Sequence, residues 1–169
     1  MKQYKNLIIA FALTIGAVAF TQAQSKVAHI ASQELIEAMP GYKTAMSDLE
    51  KLQNTYDAEI KTMMTEFSNT YKQYSQEAET KTAEENAKRS QEMQTTEQTI
   101  AQYRQNALQD LQKKEVELLK PVYEKARVAV QKVARAKGFD YVIDSTTGTG
   151  VILADGYDLM ADVKKDLGI

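Results

Sequence analysis

The chain has 169 residues, 21 basic against 23 acidic side chains, no cysteine and a single histidine. That balance offers no concentrated basic surface of the kind a nucleic-acid binder needs. Without cysteine a disulfide framework is excluded, and one histidine without cysteine makes no zinc site of ordinary type.

Lys2 and Lys5 precede an uncharged apolar stretch from Leu7 to Phe20, and Thr21-Gln22-Ala23 offers small residues where a signal peptidase reads. This is the pattern of a secretory signal peptide over residues 1–23, cleaved after Ala23. The apolar stretch falls short of the roughly 20 residues a spanning helix needs. No cysteine follows it for lipid attachment. The expected product starts at Gln24, is soluble and enters no membrane stably. Its net charge is −4, from 19 basic and 23 acidic residues.

Lys26–Ala31 alternates enough to predict a strand, with Val27 and Ile30 as its apolar positions. Ser32 then reads as the cap of a short helix through Met39, ended by Pro40-Gly41. From Tyr42 to Lys120 there is neither glycine nor proline, a run of 79 residues. Those two residues punctuate helices, so the run is built to be helix.

Its apolar positions recur every eleven residues, as in Leu49/Ile60/Tyr71, Leu52/Met63/Tyr74 and Tyr56/Phe67/Ala78. Ile100/Leu111/Val122/Val133 carries the same period through the second half. Eleven residues in three turns is close to an unstrained helix and predicts nearly straight packing. Tyr74 with Met93, Phe67 with Ile100, Ile60 with Ala107 and Leu49 with Leu118 have numbers summing to 167. That mirror predicts an antiparallel hairpin with a polar tip near 76–92. Thr82 and Glu85 form a capping box for the returning helix. A continuous rod in an intermolecular bundle is the alternative.

The returning helix is expected to kink at Pro121 and to stop at Gly138 in the C′ position. Phe139–Ile143, with Tyr141, Val142 and Ile143, predicts a second strand. Val151-Ile152-Leu153 predicts a third, joined to the second by a hairpin loop over Ser145–Gly150. Asp158 reads as the cap of a final helix that Gly168 ends. The fold class is therefore α+β: a small β body, residues 24–41 and 121–169, carrying a helical hairpin over 42–120. So small a sheet buries little by itself, which predicts self-association through Val27, Ile30, Tyr141, Val142, Ile143, Val151, Ile152 and Leu153.

Lys26–Gly41 resembles the opening strand and helix of the Skp (OmpH-like) periplasmic chaperones. Ala134–Asp144 is similar to their closing strand, and Ala154–Leu159 to their last strand-to-helix junction. The resemblance spans essentially all of the chain after the leader. It implies a periplasmic homotrimer with a barrel-like body, whose helical tentacles hold unfolded outer-membrane proteins in a cavity without ATP. One departure is charge: Leu49–Lys120 carries 13 acidic and 10 basic residues, where well-known relatives have positive tentacles.

The residues offer little to catalysis. His29 lies in a predicted strand and reads as structural, and Asp144-Ser145 reads as turn chemistry. Gly148-Thr149-Gly150 lacks the lysine and spacing of a phosphate loop. No cofactor or enzyme activity is expected. Met63, Met64, Phe67, Tyr71, Tyr74, Met93 and Tyr103 are candidates for contact with unfolded clients, because methionine adapts its shape and tyrosine offers area with a polar edge. Phe67, Tyr74 and Met93 also suit the hairpin seam, whereas Met64 and Tyr103 are expected beside it, exposed. The competing function is a non-enzymatic coiled-coil structural or adaptor protein of the cell envelope.

Overall fold

The computed structural model describes residues 25–169. The predicted leader lies outside the described residues. Strand β1 (Val27–Ile30) leads into helix α1 (Ser32–Ala38), then the long helices α2 (Pro40–Glu77) and α3 (Ala83–Ala136). Strands β2 (Tyr141–Asp144) and β3 (Tyr157–Asp158) and helix α4 (Met160–Leu167) close the chain.

Pro40 opens α2 rather than separating two elements. Its missing N–H costs nothing at a first helical position, and its ring holds Met39 extended at φ −70°, ψ 133°. At 38 residues α2 is about 57 Å long, and α3 returns antiparallel to it. The half-buried positions of α2 include Leu49, Leu52, Tyr56, Ile60, Met63, Phe67 and Tyr74, as the eleven-residue period predicts.

The reversal needs no glycine. A 3-10 turn over Ala78–Thr80 gives way to Lys81 and Thr82, both extended, so no residue takes a positive φ there. The capping box forms as predicted: Thr82 Oγ1 accepts the Glu85 N–H at 3.2 Å and Glu85 accepts the Thr82 N–H at 2.9 Å. Asn86 donates to the Ala78 carbonyl at 2.9 Å, closing the tip.

The body differs from expectation in its third strand. Val151–Leu153 is not a strand; Ile152 is fully exposed, and no strand among the described residues pairs with that segment. The third strand is Tyr157–Asp158, and it does not form a hairpin with β2. Both strands lie parallel to β1 on opposite edges, in the order β2-β1-β3, with Ala28 opposite Val142 and Tyr157. β-propensity marked Val151–Leu153, but a strand needs a partner edge, and β1 gives its second edge to Tyr157 and Asp158.

One sheet face is covered. Ala28 and Ile30 join Leu35, Ile36, Met39, the α3 residues Val122, Ala126, Ala129, Val133 and Ala134, and Leu159 and Val163 in a single core. Leu35, Leu159 and Val163 are fully buried. The hairpin thus grows directly out of the core, because α3 is continuous through Pro121 and lends its last turns to the body. A Cβ at Gly41, at the root of α2, would lie 3.4 Å from the Val122 side chain, ordinary contact distance, so the two helices meet closely there. Gly138 and Gly168 end α3 and α4 with φ +76° and +74°.

Candidate functional surfaces

Two surfaces come out of this architecture: the length of the hairpin, and the uncovered face of the sheet. Interhelical bonds fix the hairpin's register. Tyr56 donates its hydroxyl to Asp110 at 2.8 Å, Tyr74 to Glu92 at 3.0 Å, and Arg89 bridges to Glu77 at 2.6 Å. The numbers in each pair sum to 166, one from the predicted mirror. Tyr103 donates to Glu59 and meets the Tyr56 ring edge-on, at 6.1 Å between centroids.

Hydrogen bonding to a carboxylate disfavours the phenolate, so the hydroxyls of Tyr56 and Tyr74 are shifted upward and that of Tyr103 is pushed up to about 12. At the tip the Arg89 guanidinium also stacks over Tyr74, 4.4 Å from its centroid. Gln73 and then Arg89 hold the Glu77 carboxyl below its ordinary value.

The predicted client residues therefore divide. Met63, Phe67, Tyr74 and Met93 are half-buried in the seam. Tyr103, expected beside the seam and exposed, is half-buried too, held by its ring contact and its bond to Glu59. Met64 is 48% exposed as expected. Tyr71, which the eleven-residue series places in the seam, is 60% exposed, while Thr70 turns inward in its stead. Exposed Met46, Leu108 and Val116 were not singled out. The available signal was that large apolar residues fall off the seam period.

On the sheet, alternation sends Ala28, Ile30 and Val142 to the core and Val27, Tyr141 and Ile143 to the open face, all three exposed. Ile152 and Leu153, in the segment after β2, are exposed as well. An open cleft of about 500 Å³ at the body's flank is lined mainly by Leu35, Ile36, Tyr123, Val130, Phe139 and Val142. Its two carboxylates are Asp140, which accepts the Lys26 N–H at 2.9 Å, and Asp144.

His29 lies between the strands, its Nδ1 3.1 Å from Ser145 Oγ. Asp144 makes a turn, accepting the Thr146 N–H at 2.9 Å. His29 stands beside the Ser145 hydroxyl as a base would, but among the described residues no carboxylate orients its ring as an activated nucleophile requires. Among the described residues no group of histidine and carboxylates could hold a metal ion, and no helix is long and apolar enough to cross a membrane.

A small parallel-sheet body with one long helical hairpin defines the class of protein. The family described as outer membrane protein (OmpH-like) matches residues 26–167, and the chain belongs to it. A crystal structure assigned as an OmpH-like outer membrane chaperone, from Caulobacter crescentus CB15, superposes with a TM-score of 0.75. The two chains are 18% identical, over 86% of this chain and 85% of the other. At that identity the likeness is one of fold. No curated protein matches the chain.

Proposed function

We propose that this protein is a periplasmic, ATP-independent holdase that keeps unfolded outer-membrane proteins from aggregating between the helical arms of a homotrimer. The observation that carries the reading is the hairpin itself, in a chain of the OmpH-like family. About 57 Å of paired helix projects from a body that needs only the helix roots for its core. Such an arm is expensive in exposed surface and answers to no catalytic constellation. Its exposed Met64 and Tyr71 suit weak, adaptable contact with many sequences.

The open sheet face supports the trimer. Val27, Tyr141 and Ile143 are exposed on that face, and Ile152 and Leu153 after β2 are exposed as well, apolar area of the kind self-association would bury. Residues 24–41 and 121–169 serve as the oligomerisation body and 42–120 as the tentacle. The work is non-catalytic: clients are held by many small contacts and released to a more stable fold. The test is dilution of a urea-unfolded outer-membrane β-barrel into buffer with the purified protein and no nucleotide. Suppressed light scattering supports the reading, and undiminished aggregation ends it.

A further inference from the structure

The hairpin has two broad sides, and they differ. Arg104 of α3 lies against Met64 of α2 on one side, and Tyr103 of α3 donates to Glu59 of α2 on the other. These contacts fix which residues share a side. At 3.6 residues per turn Met46 and Met64 are about five turns apart and Tyr71 about two turns further, so the three stand in one line. Leu108 is one turn beyond Arg104 on the same side. Exposures are 42% for Met46, 48% for Met64, 60% for Tyr71 and 63% for Leu108. A shallow groove beside Met64 is lined by Ile60, Lys61, Ser68 and Asn69.

On the other side the tyrosine hydroxyls of the seam point outward into carboxylates: Tyr103 to Glu59, Tyr74 to Glu92 and Tyr56 to Asp110. Glu66, two turns from Glu59, adds a fourth. Between Asp57 and Lys72, and between Glu92 and Asp110, that side carries no cation. Over the same stretches the Met64 side sets Lys61, Lys72 and Arg104 against Asp57 and Glu97. The acidic balance of the arm is therefore concentrated on one side.

We propose that each hairpin holds unfolded polypeptide on one side only, with apolar client segments laid along the line of Met46, Met64, Tyr71 and Leu108 and the Glu59 side left to solvent. This rests on the holdase reading and deepens it. An apolar segment docking on the Glu59 side would strip water from carboxylates without supplying partners, which is costly, whereas the Met64 side offers apolar area at balanced charge. A second copy does not fit the line. Four side chains, each exposing about half of its surface, present roughly 400 Å², about half of what each partner in a stable complex buries. They are spread over about 38 Å of helix, a spacing that suits an extended chain.

The chain has no cysteine among its described residues or elsewhere, so single substitutions label one side cleanly. Exposed Ser68 on the Met64 side and exposed Glu66 on the other are replaced separately, as Ser68→Cys and Glu66→Cys, and carry an environment-sensitive fluorophore or, in parallel samples, a photoactivatable cross-linker. A urea-unfolded, cysteine-free β-barrel polypeptide is then titrated in without denaturant. The proposal expects a blue shift and cross-linking to client from position 68 and neither from 66. Met64→Ser with Leu108→Ser should weaken capture roughly five- to tenfold, at about 1 kcal/mol or less for each exposed side chain, and Glu66→Gln should leave it unchanged. Equal signals from both positions, or a stronger one from 66, overturn the sidedness while suppression of aggregation keeps the holdase reading intact. Cross-links between copies at 68 without client assign this side to self-association and overturn it too. Loss of all client binding in the unlabelled protein removes both readings.

Discussion

The Asp144 carboxylate, at the end of β2, accepts the backbone N–H of Ser32 at 3.1 Å and its hydroxyl as well, across 112 residues of chain. Ser32 is the first residue of α1, and Ala31 before it supplies no side-chain cap. Gln33 N–H finds Thr146 Oγ1 at 3.2 Å. The orphan donors of α1 are thus met from the far end of the sequence, and the two ends of the body are tied together.

Asp144→Ala should therefore cost about 1 kcal/mol, the usual worth of a helix cap, read as a lower midpoint in urea unfolding. Ser32→Ala should cost less, because the backbone donor remains. A midpoint unchanged in both variants would remove the cap from the account.

The same bond sets an acid response. Burial works against ionisation of Asp144, but hydrogen bonds from Ser32 and Thr146 outweigh it and hold the carboxyl at about 2, below its ordinary 3.8. A folded-state value below the unfolded one stabilises at higher pH. This contribution is complete above pH ~4 and is lost as pH falls toward 2. The stability gap between wild type and Asp144→Asn should close over that window in acid titrations followed by circular dichroism.

At the alkaline end the sign reverses. Tyr103, bonded to Glu59, is raised to about 12, so the neutral hydroxyl favours the folded hairpin and its contribution is lost as pH rises through that value. In an ultraviolet titration Tyr103 should ionise in a late phase, above the ordinary tyrosine range. Tyr103→Phe should remove the late phase and lower the midpoint of urea unfolding slightly. A single unresolved phase near pH 10 would contradict this.

Thr82 tests the tip. Thr82→Ala removes the side-chain half of the capping box, leaving the residue-82 N–H on Glu85, and should cost about 1 kcal/mol, whereas Thr82→Gly should cost only a few tenths. Amide hydrogen exchange at Ala83–Asn86 should accelerate in the first variant. Equal loss in both would point to side-chain packing instead.

The hairpin was legible because its signal is periodic and mirrored: the same spacing that builds one seam predicts its partner and its turn. Residues off the period were not, and Tyr71 shows why. A position eleven residues from Ile60 drifts on a real helix, and Thr70 fills the inner place instead. The strand at Tyr157 has no pattern of its own, because two residues carry no alternation, and only the resemblance over Ala154–Leu159 points to a strand-to-helix junction there. Val151–Leu153 carried strong β-propensity without an edge to join. The Ser32–Asp144 bond is a matter of tertiary proximity, and no local pattern announces it.

The central claim is that the arm does the work and the body only gathers arms. Its most direct test shortens the arm by one repeat in register, deleting residues 61–71 from α2 and their partners 95–105 from α3. The seam, the tip and the body are then preserved. The account predicts an unchanged number of copies per oligomer by light scattering and clearly weaker suppression of unfolded β-barrel aggregation. Undiminished suppression by the shortened protein would contradict it.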